Sequence, residues 1–241
     1  GDNTVAILME PVQGEGGINV ASAEFLSAVQ ELCQTRNILL FFDEVQCGMG
    51  RCGDLCGWRM ISNDLEIKPD AISWAKGLGG GFPIGAIWIA EKEVNDSKLS
   101  DLLGPGTHGS TFGGSPLASS VASTVVRKII DEKICDNVIK LGELVKNHLQ
   151  SHPISLITEL RGLGLMLGFQ VDAKAVNGIE DFQKTNKTPA LFLVELLAES
   201  GLLTVPAGPD VIRWLPPLNV MEDQIMEALD IMRTVFENIN T

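Results

Sequence analysis

Basic residues are scarce in this sequence. Lysine and arginine number 18 against 31 aspartates and glutamates, a formal charge of −13 over 241 residues, and that balance excludes a nucleic-acid binder, which needs a cationic surface for phosphates. No apolar run reaches the roughly 18–20 residues that spanning a membrane requires, which excludes a transmembrane enzyme. No basic segment or small-residue cleavage site precedes the first apolar run, so no signal peptide is visible. Internal repeats, low-complexity tracts and disordered linkers are likewise missing. Cysteines number five, too few and too odd a count for a secreted disulfide scaffold, and reduced thiols in a cytoplasm are the simpler expectation. Cys47, Cys52 and Cys56 lie close in sequence, but no second ligand pair accompanies them, so no metal site is expected.

What remains has the composition of a globular protein: 45% hydrophobic and 20% charged residues, enough to bury a sizeable core in one large domain or two smaller ones. The first half alternates short apolar runs with helical or glycine-rich segments, the pattern of a mainly parallel sheet in an α/β domain. Strands are expected at residues 4–9, 38–42, 71–75 and 85–90, each covered on both faces. Between the first two lies an amphipathic helix capped by Ser22, with Phe25, Leu26, Val29, Leu32 and Cys33 on one face. The runs beginning at Ile72 and Ile84 are joined by a connection too short for a crossover helix, so they form an antiparallel hairpin. After the glycine-rich stretch 104–114, Ser115-Pro116 makes an N-cap and first helical position. Helices at about 137–151 and from Thr188-Pro189 to Gly201, strands at 164–171, 202–205 and 211–215, and a final helix ending near Ile239 complete an α+β cap. The expected division is residues 1–114 and 115–241.

In open α/β sheets, ligands collect at the carboxyl ends of the strands. Here the first strand runs into Glu10-Pro11-Val12-Gln13-Gly14-Glu15, the second into Asp43-Glu44-Val45-Gln46 and the third into Lys76-Gly77, so acid, amide and amine converge on one edge. An Asp after one strand and a Lys after another some thirty residues later suits pyridoxal 5'-phosphate: the lysine attaches it as a Schiff base and the aspartate keeps its ring nitrogen protonated. Each alone has a plainer reading, the lysine as a solvated surface charge and the aspartate as a turn or helix cap.

The stretches EPVQGEGG, FFDEVQCGMGRCGDL, AKGLGGGFPIGA, HGSTFGGSPLA and VPAGPDVIRWLPPL, in this order from Glu10 to Leu218, resemble the class III, fold-type I aminotransferases, and among them those that act on acetylornithine. The resemblance implies the C-terminal part of such a fold, a partial, mainly parallel large-domain sheet plus an α+β small domain. It implies that Lys76 carries the cofactor and then acts as acid and base in the proton shift. Asp43 pairs with the ring nitrogen, Gln46 bonds the ring hydroxyl and Val45 packs on a ring face, with ordinary core packing as the alternative for Val45. Asp43 and Val45 are expected on the same side of a strand end. The resemblance further implies that Thr111 binds the cofactor phosphate of the neighbouring subunit and that Ser110 lies by the substrate, so that an active site shared across a homodimer is expected. His108 is expected to support this loop, with an acid-base role as the alternative.

Arg213 sits inside the apolar run Val211-Ile212-Arg213-Trp214-Leu215, where a guanidinium needs a partner. The resemblance implies that it grips a carboxylate of glutamate or 2-oxoglutarate and that Glu15 neutralises it when the other donor is bound; a structural ion pair with no gating role is the alternative. Arg51, Glu10 and Asp54 are assigned to structure. The implied activity is ping-pong transamination between N-acetylornithine and 2-oxoglutarate, with amino acids and 2-oxo acids as the partners. Ornithine, 4-aminobutyrate and succinyldiaminopimelate are alternative donors. The chain opens at Gly1 almost directly in an apolar run, and the family's early glycine loop, its ring-stacking aromatic and its arginine for the α-carboxylate have no counterpart. The expectation is therefore a fragment or processed form with little or no activity by itself, or a noncatalytic assembly module.

Overall fold

A computed structural model describes residues 1, 3–62, 65–94, 96–102, 104 and 106–239; position 105 of the glycine-rich stretch and the last two residues lie outside them. The chain forms two compact units. One comprises Gly1–Pro11, Ala21–Met49 and Asp54–Lys133, the other Val12–Val20, Gly50–Gly53 and Ile134–Thr241. The contact boundary thus follows Lys133, where the sequence pattern had placed it after residue 114, because the Pro116–Asp131 helix packs on the Lys76–Gly79 turn of the first unit.

The first unit is built on a four-stranded sheet in the order Ala6–Met9, Leu39–Asp43, Ala71–Trp74, Ala86–Ile89. The first three strands are parallel. The fourth pairs antiparallel with the third, Trp74 opposite Ala86, as the short connection required. The Ala23–Arg36 helix starts where Ser22 Oγ accepts the Phe25 N–H at 3.1 Å and ends at Asn37 in the left-handed region. Its buried stripe is narrower than the periodicity implied: Leu26 and Cys33 are buried, whereas Phe25 and Leu32 are exposed. Those two precede the buried positions by one residue each, a rotation of about 100°, which puts them on the rim of the contact. The sheet also departs from burial on both faces. Leu40 and Phe42 of the second strand are buried, but Leu8 on one outer strand and Ile87 and Trp88 on the other are exposed.

In the second unit the strands Val205–Pro206, Val211–Trp214, Met166–Val171 and Ile157–Leu163 form an antiparallel sheet in that order. The expected strand at 202–205 shrinks to two residues because the chain before it carries Leu203 out into solvent. The strand Ile157–Leu163 was not visible in the pattern: its sequence, ITELRGL, is half polar, and it lies at the sheet edge. It turns into the next strand through Gly164 at φ 54°, where a Cβ would fall 2.6 Å from Val138 Cγ1, so only glycine fits. The helices Ile134–Ser151, Pro189–Glu199 and Glu222–Ile239 contribute Val138, Leu141, Val145, Leu193, Leu197, Ile225, Leu229, Met232 and Phe236 to the core. Thr188 Oγ1 caps the second of these by accepting the Leu191 N–H at 3.3 Å. Val12–Gln13 pairs with Asn19–Val20 in a small hairpin that also belongs to this unit. No helix among the described residues is long and apolar enough to cross a membrane.

Candidate active site

In the first unit the chemistry-bearing residues gather at one sheet edge. Asp43 ends its strand in register with Ser73 of the parallel neighbour, and two residues beyond the end of that neighbour stands Lys76. Because the two strands run the same way, both residues lie at carboxyl ends. Lys76 opens a 3-10 turn, Lys76–Gly79, with φ 39°, and its residue is exposed. A side chain in the left-handed region carries backbone strain, which persists only where the surroundings enforce it. The turn that follows is closed by the Leu78 N–H on Ala75 O at 2.8 Å, and the Pro116–Asp131 helix packs on it.

Val45 reaches this edge by a different route from the strand alternation expected of it. The strand stops at Asp43, and Asp43 Oδ1 accepts the Val45 N–H at 2.9 Å. Such a local bond folds the chain back on itself. Val45 and Gln46 therefore sit in a turn, half-buried like Asp43. Glu44, between Asp43 and Val45, was not singled out in the sequence, and it is the most buried acid among the described residues of the first unit at 1% exposure. Its Oε2 accepts the Gly57 N–H at 2.7 Å and the Cys47 thiol at 3.3 Å, and its Oε1 accepts the Trp58 N–H at 2.9 Å. Burial pushes its carboxyl above the usual range, against the pull of the two amides. A signal did exist: the Gly57–Ser62 helix has Cys56 before it rather than a capping Ser, Thr, Asp or Asn, so its first amides need a partner from elsewhere in the chain.

Ser110 and Thr111 stay on the exposed loop that leads into the Pro116–Asp131 helix. The loop turns through the Gly113 N–H on Ser110 O at 3.0 Å, and Ser115 Oγ caps the helix at the Ala118 N–H. No described hydrogen bond ties Ser110 or Thr111 to Asp43 or Lys76. His108 is exposed on the same loop.

The second unit holds the remaining pair. Arg213 lies in a strand whose four residues are all buried, with Gly168 opposite it on one neighbouring strand and Val205 on the other. Gly168 leaves room for Ile18: a Cβ there would come 2.8 Å from Ile18 Cβ. That space seats the small hairpin, and the hairpin loop delivers Glu15. Arg213 Nη1 donates to Glu15 Oε1 at 2.7 Å, the arginine side chain 9% exposed and the glutamate 72%. Arg51 is structural: it donates to Leu165 O at 3.1 Å and Pro216 O at 2.6 Å, and burial draws its guanidinium down to about 10. Asp54 Oδ1 likewise serves its own backbone, accepting the Cys56 N–H at 2.9 Å. Burial, reinforced by Glu44, pushes the Cys56 thiol up to about 11. Among the described residues no three His, Cys, Asp or Glu side chains stand together as a metal site.

Residues 1–236 match the family model described as aminotransferase class-III. The chain is 40% identical over 231 residues to acetylornithine aminotransferase of Clostridium acetobutylicum, covering 95% of itself and 53% of that protein. With acetylornithine aminotransferase 1 of Bradyrhizobium diazoefficiens the identity is 42%, over 95% of the chain and 51% of the relative. Among solved structures it resembles ornithine aminotransferase of Toxoplasma gondii, crystallized with oxidized glutathione and partly occupied by PLP, at a TM-score of 0.83 and 32% identity over 99% of the chain and 52% of that one. It also resembles N-acetylornithine aminotransferase of Stenotrophomonas maltophilia, at 0.79 and 33% over 98% and 57%. The chain thus spans about half the length of the relatives it matches.

Proposed function

Because the chain belongs to the class-III aminotransferase family, we propose that it supplies the lysine-bearing part of a pyridoxal-phosphate-dependent transamination between N-acetylornithine and 2-oxoglutarate. The observation that carries this reading is the placement of Asp43 and Lys76 at the carboxyl ends of adjacent parallel strands. The donor set there fits the cofactor: a carboxylate for a ring nitrogen, an amide for a ring hydroxyl and a primary amine, with Gly77 after the amine keeping the approach free of a further side chain. When bound, pyridoxal phosphate supplies an electron sink for the carbanion formed at the substrate's amine-bearing carbon.

The chain's own residues do the rest. Lys76 would hold the cofactor covalently, and once the substrate amine has displaced it from that bond its freed Nζ would take and return the proton of the reacting carbon. Asp43 keeps a proton on the ring nitrogen, Gln46 orients the ring through its hydroxyl, and Val45 packs on a ring face. Thr111 takes the cofactor phosphate of the neighbouring copy and Ser110 lies by the substrate, so the working unit is a homodimer. In the second unit Arg213 binds the carboxylate of glutamate or 2-oxoglutarate. Glu15 pairs with it when the incoming donor has no charge for it, so one pocket accepts two differently charged substrates. The pair is suited to this because the arginine side chain is buried while that of its partner is mostly solvated.

The test is an absorption spectrum of the purified chain with pyridoxal phosphate, then borohydride reduction and peptide mapping. A yellow species reduced onto Lys76 and bleached by N-acetylornithine is the expected result; label spread over surface lysines with none on Lys76 overturns the reading. Ornithine is the second donor to try, since the chain also resembles ornithine aminotransferases in structure. Bleaching by ornithine alone replaces the first donor with the second.

A further inference from the structure

We infer that Glu44 is a positioning residue for cofactor binding, one that fixes the turn bearing Val45 and Gln46 relative to the strand that leads to Lys76; this rests on the functional reading above. Three sets of contacts meet at Glu44. Its backbone N–H donates to Ser73 O at 2.9 Å, tying it to the strand that leads to Lys76. Its backbone O accepts the Gly48 N–H at 3.0 Å, closing the turn that contains Val45 and Gln46. Its carboxylate accepts the first amides of the Gly57–Ser62 helix and the Cys47 thiol. The turn is therefore held from the strand side by backbone and from the helix side by a buried carboxylate.

The surroundings leave it little freedom. A Cβ on Gly48 would lie 2.8 Å from both Glu44 O and Trp74 Cδ1, and one on Gly57 would lie 2.7 Å from Cys47 O. The backbone of the turn is packed against Trp74 and against the helix start with no side chain between. In such packing a shift of the carboxylate is not absorbed by side-chain rotation; it moves Val45 and Gln46. Asp43 lies one residue away, and its Oδ1 is engaged by the Val45 amide, so loosening the turn also releases the group assigned to the ring nitrogen. An acid kept only to cap a helix would not need the Cys47 contact.

The experiment compares Glu44→Gln and Glu44→Ala with Asp70→Asn, all in the full chain. Asp70 is another buried acid of the same unit, and its carboxylate accepts the Leu40 N–H at 2.9 Å and pairs with Lys92 at 3.0 Å. Pyridoxal phosphate affinity is read by absorbance titration and Lys76 trapping, stability by urea. The glutamine keeps an acceptor for one helix amide but turns an NH2 toward the other. It should weaken binding about tenfold, and alanine more, as misplacement of a supporting group does elsewhere. Asp70→Asn should leave affinity within a factor of about two at comparable stability loss. Equal affinity in folded Glu44 variants, or an equal loss in Asp70→Asn, overturns the inference. A second readout does not need the cofactor: hydrogen exchange of the Val45 and Gly48 amides should quicken about tenfold in Glu44→Gln while that of Leu40 does not. Unchanged exchange overturns the positioning role even if the wild-type chain takes no label on Lys76, an outcome that would sink the functional reading separately.

Discussion

The two units expose and bury their chemistry in opposite ways. In the first, Lys76, Ser110 and Thr111 are exposed and Asp43, Val45 and Gln46 half-buried at the rim of a sheet whose outer strands show Leu8, Ile87 and Trp88 to solvent. In the second, Arg213 is buried in the middle of an antiparallel sheet lined by three helices, and only its partner Glu15 reaches water. The residues proposed to meet the cofactor sit where the backbone ends its ladder and turns. The arginine proposed to grip a substrate carboxylate sits inside the ladder. Substitutions should therefore cost the first unit chemistry at little expense in stability, and the second unit stability first.

The largest expected effect is on Lys76. Lys76→Gly should abolish the borohydride-trapped label, a loss beyond about 100-fold. Since the residue occupies the left-handed region, glycine should also raise the unfolding free energy read from urea titration by about 0.5–1 kcal/mol. A variant that is both unlabelled and destabilised would break the comparison. Next comes Arg213→Ala, which leaves a void in a buried strand and should cost about 2–4 kcal/mol. Glu15→Gln, at the solvated end of the same pair, should cost under about 1 kcal/mol. Equal losses in urea titrations would mean that the two ends share one environment.

A smaller effect is set by pH. His148 stacks on His152 with ring centroids 4.9 Å apart; burial, then His152 and Arg233, hold its imidazole below the ordinary range. The unfolded chain therefore binds the proton more readily than the folded one, and the second unit should lose stability as pH falls below about 6.5. The urea midpoint should drop between pH 7.5 and 5.5 in the native chain and drop less in His148→Gln. Smallest of all, Ile87→Thr on the exposed sheet face should change stability by less than about 0.5 kcal/mol while reducing light scattering on concentration.

Much of this was legible because it is local. Ser22, Ser115 and Thr188 cap the helices that follow them, and the connection from Lys76 to Pro83 was too short for anything but an antiparallel return. Arg213 could be read because an arginine in an apolar strand demands an acid, and Glu15 is 198 residues away in sequence. What escaped depends on who packs against whom. Val45 follows a side-chain bond that ends the strand early, an effect that hydrophobic alternation does not register. Phe25 and Leu32 fit the helical period, yet only one sheet is there to cover the helix. Glu44 read as a polar residue after a strand, whereas three donors from residues 47, 57 and 58 make it a buried anchor. The division of the chain was hidden for the same reason: nothing in VQGEGGINV announces that it packs with residues more than a hundred positions later.

That interleaving has a consequence for how the molecule forms. The chain changes unit after Pro11, Val20, Met49, Gly53 and Lys133, and Arg51 reaches carbonyls at Leu165 and Pro216. The second unit cannot complete itself until segments from the first fifty-odd residues have been threaded into place, so its loops close late and at an entropic cost that grows with the intervening length. During synthesis its core must wait with its early strands already made and its helices still to come, and no single cut releases either unit whole.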